Sequence, residues 1–516
     1  MEVTVVKGFL VLLAAVVVLE NSVNATDSNK NVVLLLADDA AFEMGAYMNK
    51  ICQTPHLDAL AKRGLIFNNA FTSVSSCSPS RAQILTGLTS HQNGMYGLHQ
   101  GVHHFNVFDE VKSLPGLLHP KHVLTGLIGK KHVGPKSNFP FDYEQTEETH
   151  SINQVGRNIT KIKLFVREFL ELAKNSSRPF FLMVAFHDPH RCGHITPQYG
   201  EFCERWGSGE IGMGTIPDWT PIYYDWQNIP YPGYLPDTET VRRELAAQYQ
   251  TISRLDQGVG LVLKEVENAG YGDNSLVIYT SDNGPPFPGG RTTLYDPGVR
   301  EPMIIYSPDK NARHHDITYA MTSLLDVFPT VLDYFGASNS DESTKYLGKS
   351  LLPLLVKEPP KDDEAVIFGS QNFHEITMNY PMRMIRNNRF KLIHNLNYRA
   401  IFSIDQDLYT SPTFQEILNA TIFERPLPWY KTLRQYYERP EWEMYDLKLD
   451  PLERLNIANK AGVKDIREKL QAKLREMQVA TKDPWVCAPH GVLQNQGPYK
   501  EKPTCFTLGD SVKESI

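Results

Sequence analysis

The chain has 516 residues and a formal net charge of -7, from 52 Lys and Arg against 59 Asp and Glu. Because the charge is spread without long basic runs, it argues against nucleic acid or an anionic membrane surface as a partner. The length exceeds the roughly 250 to 300 residues that one hydrophobic core usually serves, so we expect two domains.

A signal peptide over residues 1–25 is the first predicted element. Lys7 precedes the apolar run GFLVLLAAVVVLE, and Ala25 ends a stretch that fits a small-residue cleavage site. The run is shorter than the ~20 residues of a membrane span, and no later run is long enough, so we expect a soluble mature protein without membrane contact. Glycosylation acceptors, which agree with a secretory route, begin at Asn158, Asn175 and Asn419, and one at Asn24 would be lost on cleavage.

Six cysteines are present, and in an oxidising compartment most thiols pair. The economical short loops join Cys192 to Cys203 and Cys487 to Cys505. Cys52 and Cys77 remain, and either they bridge each other or Cys77 is reserved for chemistry while Cys52 stays free. Cys77 stands in Ser-Ser-Cys-Ser-Pro-Ser-Arg, whereas a buried structural thiol normally has apolar neighbours, and this context favours chemistry.

Five apolar runs of strand length lack a helical period, at residues 31–37, 122–129, 179–186, 275–281 and 302–307. Their continuous hydrophobicity indicates strands that are covered on both faces. Helical patterns lie between them, at 54–64, 244–270 and 323–336. The predicted fold class is therefore α/β, with a large, mainly parallel sheet sandwiched by helices.

After about residue 380 the pattern changes to two strands around an Asn-Asn turn and a helix over 462–478 with one apolar stripe. We therefore predict a catalytic domain over 26–380 and a smaller α+β domain over 381–516, with an antiparallel sheet. Residues 187–240 are irregular and rich in Pro, Gly, Trp and Tyr, which is typical of a wall or lid beside a site.

Polar side chains follow four of the apolar runs, namely Asp38-Asp39, Lys130-Lys131-His132, His187-Asp188-Pro189-His190 and Asp282-Asn283. Ligands of open parallel sheets bind outside the carboxyl ends of the strands, so these groups are expected to converge on one site. Lys131 and His187 are out of phase with the others and are expected to point away from it.

Oxygen ligands dominate this expected site. Asp38, Asp39, Asp282 and Asn283 offer only oxygens, three of them anionic, as hard divalent cations require. Calcium tolerates irregular carboxylate geometry better than magnesium, and zinc would need more His or Cys. One Asp pair alone would be a helix cap or a turn, but the second pair at another strand end favours a metal site.

Cations and histidines complete the set. Arg81, Lys130 and Arg291 are candidates to surround an anionic group, and the planar fork of Arg suits tetrahedral oxyanions. His132 and His190 could exchange protons near a pKa of about 6.5, or could be structural histidines.

The stretch CSPSRAQILTG from Cys77 matches the sulfatase signature Cys-x-Pro-Ser-Arg, three residues, Leu or Met, then Thr-Gly. The chain thus resembles the sulfatases of the alkaline phosphatase superfamily. QNGMYGLHQ, AFHDPHRCGH and TSDNGPPFPGGRTTLY resemble the members that hydrolyse the N-sulfate of terminal glucosamine in heparan sulfate and heparin. Many sulfatases carry Gly-Lys-Trp-His where residues 129–132 read Gly-Lys-Lys-His, a departure that bears on substrate class.

The resemblance implies that a formylglycine-generating enzyme converts Cys77 to formylglycine and that one Ca²⁺ faces it. The metal ligands implied by the family are Asp38, Asp39, Cys77, Asp282 and Asn283. The sulfate-binding and catalytic shell that it implies is Cys77, Arg81, Lys130, His132, His190 and Arg291. A sulfated glycosaminoglycan substrate, a homodimer and delivery to the lysosomal lumen are further family implications.

In the mechanism that the resemblance implies, one hydroxyl of the hydrated aldehyde attacks sulfur, and the second expels sulfate afterwards. His190 protonates the departing nitrogen, and His132 takes the later proton. His374 and Glu375 are expected to help form the glycan pocket.

Three other readings are compatible with parts of the sequence. An O-sulfatase acting on another glycan or an aryl ester would share all the core residues. A phosphodiesterase or phosphonate hydrolase of the same fold would need no modified residue, and Pro79 and Arg81 argue against it. A secreted glycan-binding protein without turnover would tolerate the loss of the metal carboxylates, and all of them are present here.

Overall fold

Four segments of the chain, residues 30–193, 199–338, 346–361 and 364–507, are described by a computed structural model. The predicted signal peptide over 1–25 and the acceptor Asn24 lie outside them. Across these segments, none of the helices combines the length and hydropathy that a bilayer crossing requires.

A nine-stranded sheet dominates the described residues, in the order β4-β3-β5-β1-β6-β7-β2-β8 with β9 beside β2. Its strands are β1 Asn31–Ala37, β2 Leu65–Phe71, β3 Leu124–Gly129, β4 Tyr143–Thr146, β5 Phe180–Ala185, β6 Ser275–Ser281, β7 Arg300–Tyr306, β8 Asp316–Thr318 and β9 Thr322–Ser323. The pairs from β4 through β6 are all parallel, and β7 runs antiparallel to both neighbours. The sheet is therefore mainly parallel, as predicted.

Helices cover both faces of this sheet. The α-helices of the described chain are α1 Pro55–Arg63, α2 Cys77–Thr86, α3 Ser90–Asn93, α4 Leu114–Leu118, α5 Ile152–Val155, α6 Ile159–Ser176, α7 Glu239–Asn268, α8 Asp296–Val299, α9 Val327–Tyr334, α10 Leu352–Val356, α11 Gln406–Thr410, α12 Pro412–Ile422, α13 Leu433–Tyr437 and α14 Lys464–Ala480. Along β1, Leu34 packs in the core that contains Ile84 of α2, while Leu35 packs in the core that contains Val166 of α6. Successive residues of a strand point to opposite faces, so a continuous apolar strand requires both layers.

Helix boundaries follow capping more closely than apolar pattern. The helix predicted from residue 244 begins at Glu239, because the Thr238 side chain accepts the Val241 N–H and caps it. The pattern at 54–64 predicts Thr54 as the cap and Pro55 as the first helical residue, and α1 does begin at Pro55. The Thr54 hydroxyl accepts the N–H of Gly45 instead of capping α1.

A second, antiparallel sheet has the order β10-β11-β12-β13. Its strands are β10 Ile367–Gln371, β11 Met382–Arg386, β12 Phe390–Asn395 and β13 Trp442–Asp446, and a separate hairpin pairs β14 Gly491–Gln494 with β15 Thr504–Thr507. The apolar stripe of α14 packs on this sheet through Leu470 and Leu474. The predicted fold class is confirmed, while the domain limits at 380 and 381 stay a prediction.

The predicted disulfides, Cys192 with Cys203 and Cys487 with Cys505, are both present. Cys52 and Cys77 are free and buried. The alternative of a bridge between them is therefore wrong, and the thiol of Cys77 remains available.

A buried ion pair fixes the second sheet to the segment that follows α14. Nε of Arg383, on β11, donates to Oδ2 of Asp483 at 2.5 Å, Nη2 donates to Oδ1 at 2.9 Å, and both side chains are 0% exposed. Breaking a buried pair leaves an uncompensated charge, which is far more costly than losing a pair in water.

We expect the change Asp483→Ala to lower the free energy of unfolding by about 3–5 kcal/mol, because it strands the Arg383 guanidinium. Urea unfolding followed by fluorescence measures this. Glu438→Ala, which removes a solvent-exposed partner of Arg434, is the matched control and should leave the unfolding midpoint nearly unchanged. Equal effects of the two variants would contradict the prediction.

Candidate active site

The carboxyl ends of β1 and β6 bring two acidic pairs together. The strands are parallel neighbours whose last residues, Ala37 and Ser281, are paired. Asp38 and Asp39 follow one strand, Asp282 and Asn283 follow the other, and all four are 0% exposed. Nδ2 of Asn283 donates to Oδ1 of Asp39 at 2.6 Å. The two pairs thus form one buried group of four residues, the acidic cluster.

Lys130 reaches this cluster from the end of β3. Gly129 has φ +98, and an added Cβ would lie 2.0 Å from the carbonyl oxygen of Ala185, so only glycine fits this close approach. Nζ of Lys130 donates to Oδ2 of Asp38 at 2.6 Å. Burial, the largest single effect, raises the pKa of Asp38. The positive charges around it, of which Lys130 is the strongest, together outweigh burial and hold that pKa well below its ordinary value.

Cys77 is the first residue of α2 and is 1% exposed. Its Sγ lies 3.9 Å from Oδ1 of Asp39. It forms one group with Asp38 and Asp282 in which the potential ligand atoms lie within 4.8 Å of one another. Burial, against the opposing effect of Lys130, raises the pKa of this thiol well above its ordinary value, so the unmodified side chain is a poor nucleophile.

Arg81 follows Cys77 by one helical turn and therefore lies on the same face of α2. Nη2 of Arg81 lies 2.8 Å from Oδ2 of Asp282 and 3.3 Å from Oδ1 of Asp38. Nη1 donates to the carbonyl oxygen of Lys130 at 2.7 Å. Burial disfavours its charge, but Asp282 and Asp38 outweigh burial and raise the pKa of Arg81 further.

Arg291 connects the acidic cluster to His190. Its Nη1 donates to Oδ2 of Asp39 at 2.6 Å and lies 3.0 Å from Nε2 of His190. Its Nη2 contacts the carboxylates of Asp405 and Asp407. The next residue, Thr292, has φ 71, a left-handed conformation that β-branched residues rarely adopt. Such strain is typical of functional segments.

His190 is held by a buried framework. Its Nδ1 lies 2.8 Å from the carbonyl oxygen of Arg191, and its own carbonyl oxygen accepts from Nη2 of Arg157 at 3.0 Å. Asp188 receives Nη1 of Arg157 at 2.5 Å and Nε of Arg254 at 2.7 Å. Two guanidinium groups on one carboxylate therefore fix the loop that presents His190.

His132 and His187 differ in what surrounds them. Both ring nitrogens of His132 are buried and have no hydrogen-bond partner among the described residues. The expectation that His187 points away is wrong, because its Nδ1 lies 3.7 Å from Oδ2 of Asp38 and 2.9 Å from Oε1 of Glu147. β5 ends at Ala185, so strand alternation no longer governs this residue.

Lys131 does point away from the cluster. Its Nζ lies 2.5 Å from Oε1 of Glu144 on β4. His374 lies beside the start of α2, where its Nδ1 is 2.8 Å from the hydroxyl of Ser76. Oε1 of Glu375 accepts the N–H of Gln406 at 3.2 Å.

The acidic cluster fits a hard divalent cation. Oδ1 of Asp38 and Oδ1 of Asn283 are buried and accept no hydrogen bond from the part of the chain that the structure describes. Burial raises the pKa of Asp39 to about 7 and that of Asp282 to about 6, against the opposing charges of Arg291 and Arg81. Three carboxylates and one amide oxygen in such a space match the oxygen ligands that Ca²⁺ prefers.

Two carboxylates at this site, Asp405 and Asp407, could not be found from the strand-end argument. They come from residues that follow β12 of the second sheet, and both side chains touch Arg291. The only sequence signal is an Asp-x-Asp pair at the start of a short helix. Such a pair is as typical of a helix N-cap as of a functional site. Asp405 does cap α11, by accepting the N–H of Leu408.

Two family models match the chain. The model described as Sulfatase matches residues 30–337. The model described as N-sulphoglucosamine sulphohydrolase, C-terminal, matches residues 290–424 and 427–480.

Relatives of known name cover most of the chain. N-sulphoglucosamine sulphohydrolase of Homo sapiens is 55% identical over 485 residues, which are 93% of this chain and 95% of that protein. An ulvan-active sulfatase of Formosa agariphila is 27% identical over 452 residues, which are 87% of this chain and 79% of that protein.

Solved structures share the fold. A 2-O glycosaminoglycan sulfatase superposes with a TM-score of 0.62 at 22% identity, covering 89% of this chain and 93% of that chain. A protein solved in complex with its substrate D-glucosamine-2-N,6-O-disulfate gives a TM-score of 0.61 at 22% identity, covering 88% of this chain and 98% of that chain.

In the metal-free protein, the raised pKa values of Asp39 and Asp282 predict a loss of stability as pH rises. Both carboxyls bind a proton more tightly when folded, so their contribution is present below the ordinary value of 3.8 and is lost as pH passes about 6 and about 7. Excess Ca²⁺ should remove this loss by binding the ionised carboxylates.

Thermal unfolding between pH 4 and pH 7.5, with chelator and with Ca²⁺, measures the effect. Asp39→Asn should flatten the pH dependence and abolish the rise in melting temperature on adding Ca²⁺, while the exposed Asp273→Asn should behave as the parent chain. A Ca²⁺ response that survives Asp39→Asn would show that the ion binds elsewhere.

Proposed function

This chain belongs to the sulfatase family, and from that premise we propose that it hydrolyses the N–S bond of terminal glucosamine N-sulfate in heparan sulfate and heparin. The observation that carries the chemistry is Cys77, within its signature, at the buried start of α2 beside Asp38 and Asp282. The choice of substrate rests on the 55% identity to human N-sulphoglucosamine sulphohydrolase. The C-terminal model of that enzyme also matches this chain.

We propose that Cys77 acts after conversion to formylglycine by a formylglycine-generating enzyme. The raised pKa of the buried thiol supports this, because a protonated thiol cannot attack sulfur. The hydrated aldehyde supplies one hydroxyl that takes the sulfonyl group and a second whose deprotonation releases sulfate and restores the aldehyde. The balance is one water consumed, with an amine and a sulfate ion formed.

The acidic cluster would hold the Ca²⁺ through Asp38, Asp39, Asp282 and Asn283. When bound, this ion supplies positive charge to the sulfate oxygens. Arg81 and Lys130 each contact Asp38 and place two further cations at the same edge. In a buried site such preorganised charges stabilise the charge of the transferring group without reorganisation.

His190 is placed to protonate the departing nitrogen. Its Nδ1 faces a carbonyl oxygen and therefore carries hydrogen, while Nε2 faces Arg291. Burial, followed by Lys130, lowers its pKa well below the ordinary value. The negative charge of an arriving sulfate opposes this effect and favours a proton on Nε2. His132, whose ring has no hydrogen-bond partner within the four described segments, is available for the proton released with sulfate.

The secretory and lysosomal route belongs to the same proposal. Two disulfides and the exposed acceptors Asn175 and Asn419 support it. Asn158 is half-buried and caps α6 by accepting the N–H of Lys161. The homodimer implied by the family stays a prediction.

The test of the reaction starts with the protein secreted from a eukaryotic host. Mass spectrometry of the peptide that contains position 77 should show the aldehyde, and the protein should release sulfate from glucosamine N-sulfate in preference to glucosamine 6-sulfate. Cys77→Ser should abolish turnover, whereas Cys52→Ser, the other free cysteine, should retain it. Preference for the 6-sulfate would instead support the O-sulfatase alternative.

Replacement of His190 tests its role as an acid. His190→Ala should lower kcat on glucosamine N-sulfate by about 10²- to 10⁴-fold, because an unprotonated nitrogen leaves poorly. The loss should be much smaller on 4-nitrophenyl sulfate, whose phenolate leaves without a proton. His119→Ala, at an exposed histidine, serves as the control. Equal losses on both substrates would assign His190 to sulfate binding instead.

A further inference from the structure

An acidic pair from the second part of the chain lies against the active site. Asp405 precedes α11, and Asp407 is the second residue of that helix. Their residue exposures are 1% and 7%, so both carboxyl groups have left water. Buried carboxylates are costly unless they are paired, and each such group needs an explanation.

Arg291 contacts only one oxygen of each carboxyl group in this pair. Its Nη2 lies 3.1 Å from Oδ1 of Asp405 and also donates to Oδ1 of Asp407. One carboxylate would suffice to hold that nitrogen. Counted as ionised groups, Asp405 and Asp407 leave both Oδ2 atoms without a hydrogen bond from the described protein, and Nε of Arg291 donates none. Burial, and then Asp407 against the opposing charge of Arg291, raises the pKa of Asp405 well above its ordinary value, so the two carboxyl groups share a hydrogen bond. The site therefore offers acceptors and a donor beyond what the fold uses.

The pair lies on the side of the site where a leaving group would depart. Nη1 of Arg291, on the same guanidinium, is 3.0 Å from Nε2 of His190, the proposed acid. Glu375 is joined to the segment between the two aspartates through the N–H of Gln406.

We propose that Asp405 and Asp407 bind the amino group of glucosamine and thereby favour nitrogen-linked over oxygen-linked sulfate. This inference rests on the proposed function and specifies how its substrate is selected. The nitrogen gains a proton as the N–S bond breaks and becomes an ammonium group, which carboxylates stabilise. The alcohol from an O-sulfate stays neutral and gains no such contact.

The charge balance around Arg291 supports the assignment. One guanidinium contacts three acidic side chains, those of Asp39, Asp405 and Asp407. Burial raises the pKa of Asp405, whereas Arg291 helps to hold that of Asp407 well below its ordinary value. In a pocket that binds sulfate alone, we would expect this arginine to contact only the sulfate, because additional carboxylates repel an anion. Carboxylates beside an anion site weaken the binding of a ligand that is only anionic. They favour a ligand that carries both a negative and a positive group.

Binding of neutral and cationic sugars tests the pair without requiring turnover. Glucosamine and glucose differ only in the ammonium or hydroxyl at one carbon, and their dissociation constants can be measured by ligand-detected NMR on the full chain. The parent protein should bind glucosamine about tenfold more tightly, as one charged hydrogen bond predicts. Asp407→Asn and Asp405→Asn should reduce the ratio towards one, and Asp273→Asn should preserve it.

The outcomes separate the inference from the proposed function. A parent protein that binds both sugars equally, or a ratio that survives both variants, overturns the inference even when glucosamine N-sulfate is hydrolysed. A variant that loses turnover but keeps the ratio shows that the pair only positions Arg291, which also overturns it. Ammonium selectivity in a protein that does not hydrolyse glucosamine N-sulfate would retain the amine-binding site, but it would reject the proposed function and with it the selection of nitrogen-linked sulfate.

Discussion

Burial of opposite charges at one edge of the sheet is the constraint on which the site depends. Asp38, Asp282 and Arg81 are all 0% exposed, and Lys130 is 3% exposed. In such surroundings an unpaired charge is far more costly than in water, so each group depends on its partners. The network is therefore rigid, and a change in one member alters the charge state of the others. This coupling is useful where an anion must be bound in a fixed orientation.

The mainly parallel sheet brings those charged side chains together through strand order alone. Each parallel strand ends at the same edge, and the apolar residues of β1, β3, β5 and β6 hold the strands in register. The first polar residues after each strand consequently share one small volume. The segment between β12 and β13 brings Asp405 and Asp407 against Arg291, so the site also includes residues from beyond the large sheet.

Much of this arrangement was predictable from the sequence, because apolar runs and the polar residues after them are local patterns. The five predicted strands of the large sheet, the disulfides and the meeting of Asp38 with Asp282 follow from such patterns, whereas β2, β4, β8 and β9 were not predicted. The position of His187 did not, since it lies past the end of β5, where the backbone turns. Contacts of Asp407 with Arg291 were also beyond reach, because 116 positions separate these residues and no periodicity links them.

The near-complete enclosure of Cys77 has a consequence for the order of events in biosynthesis. A modifying enzyme must grip several residues around its target, and the segment from Ser75 through Thr86 is wholly buried once the chain has folded. Conversion, if it occurs as proposed, is therefore restricted to the interval between synthesis and folding. A molecule that closes around the thiol too early would be stable and well folded yet permanently inert. The yield of working enzyme would then depend on the rate of conversion relative to the rate of folding in the endoplasmic reticulum.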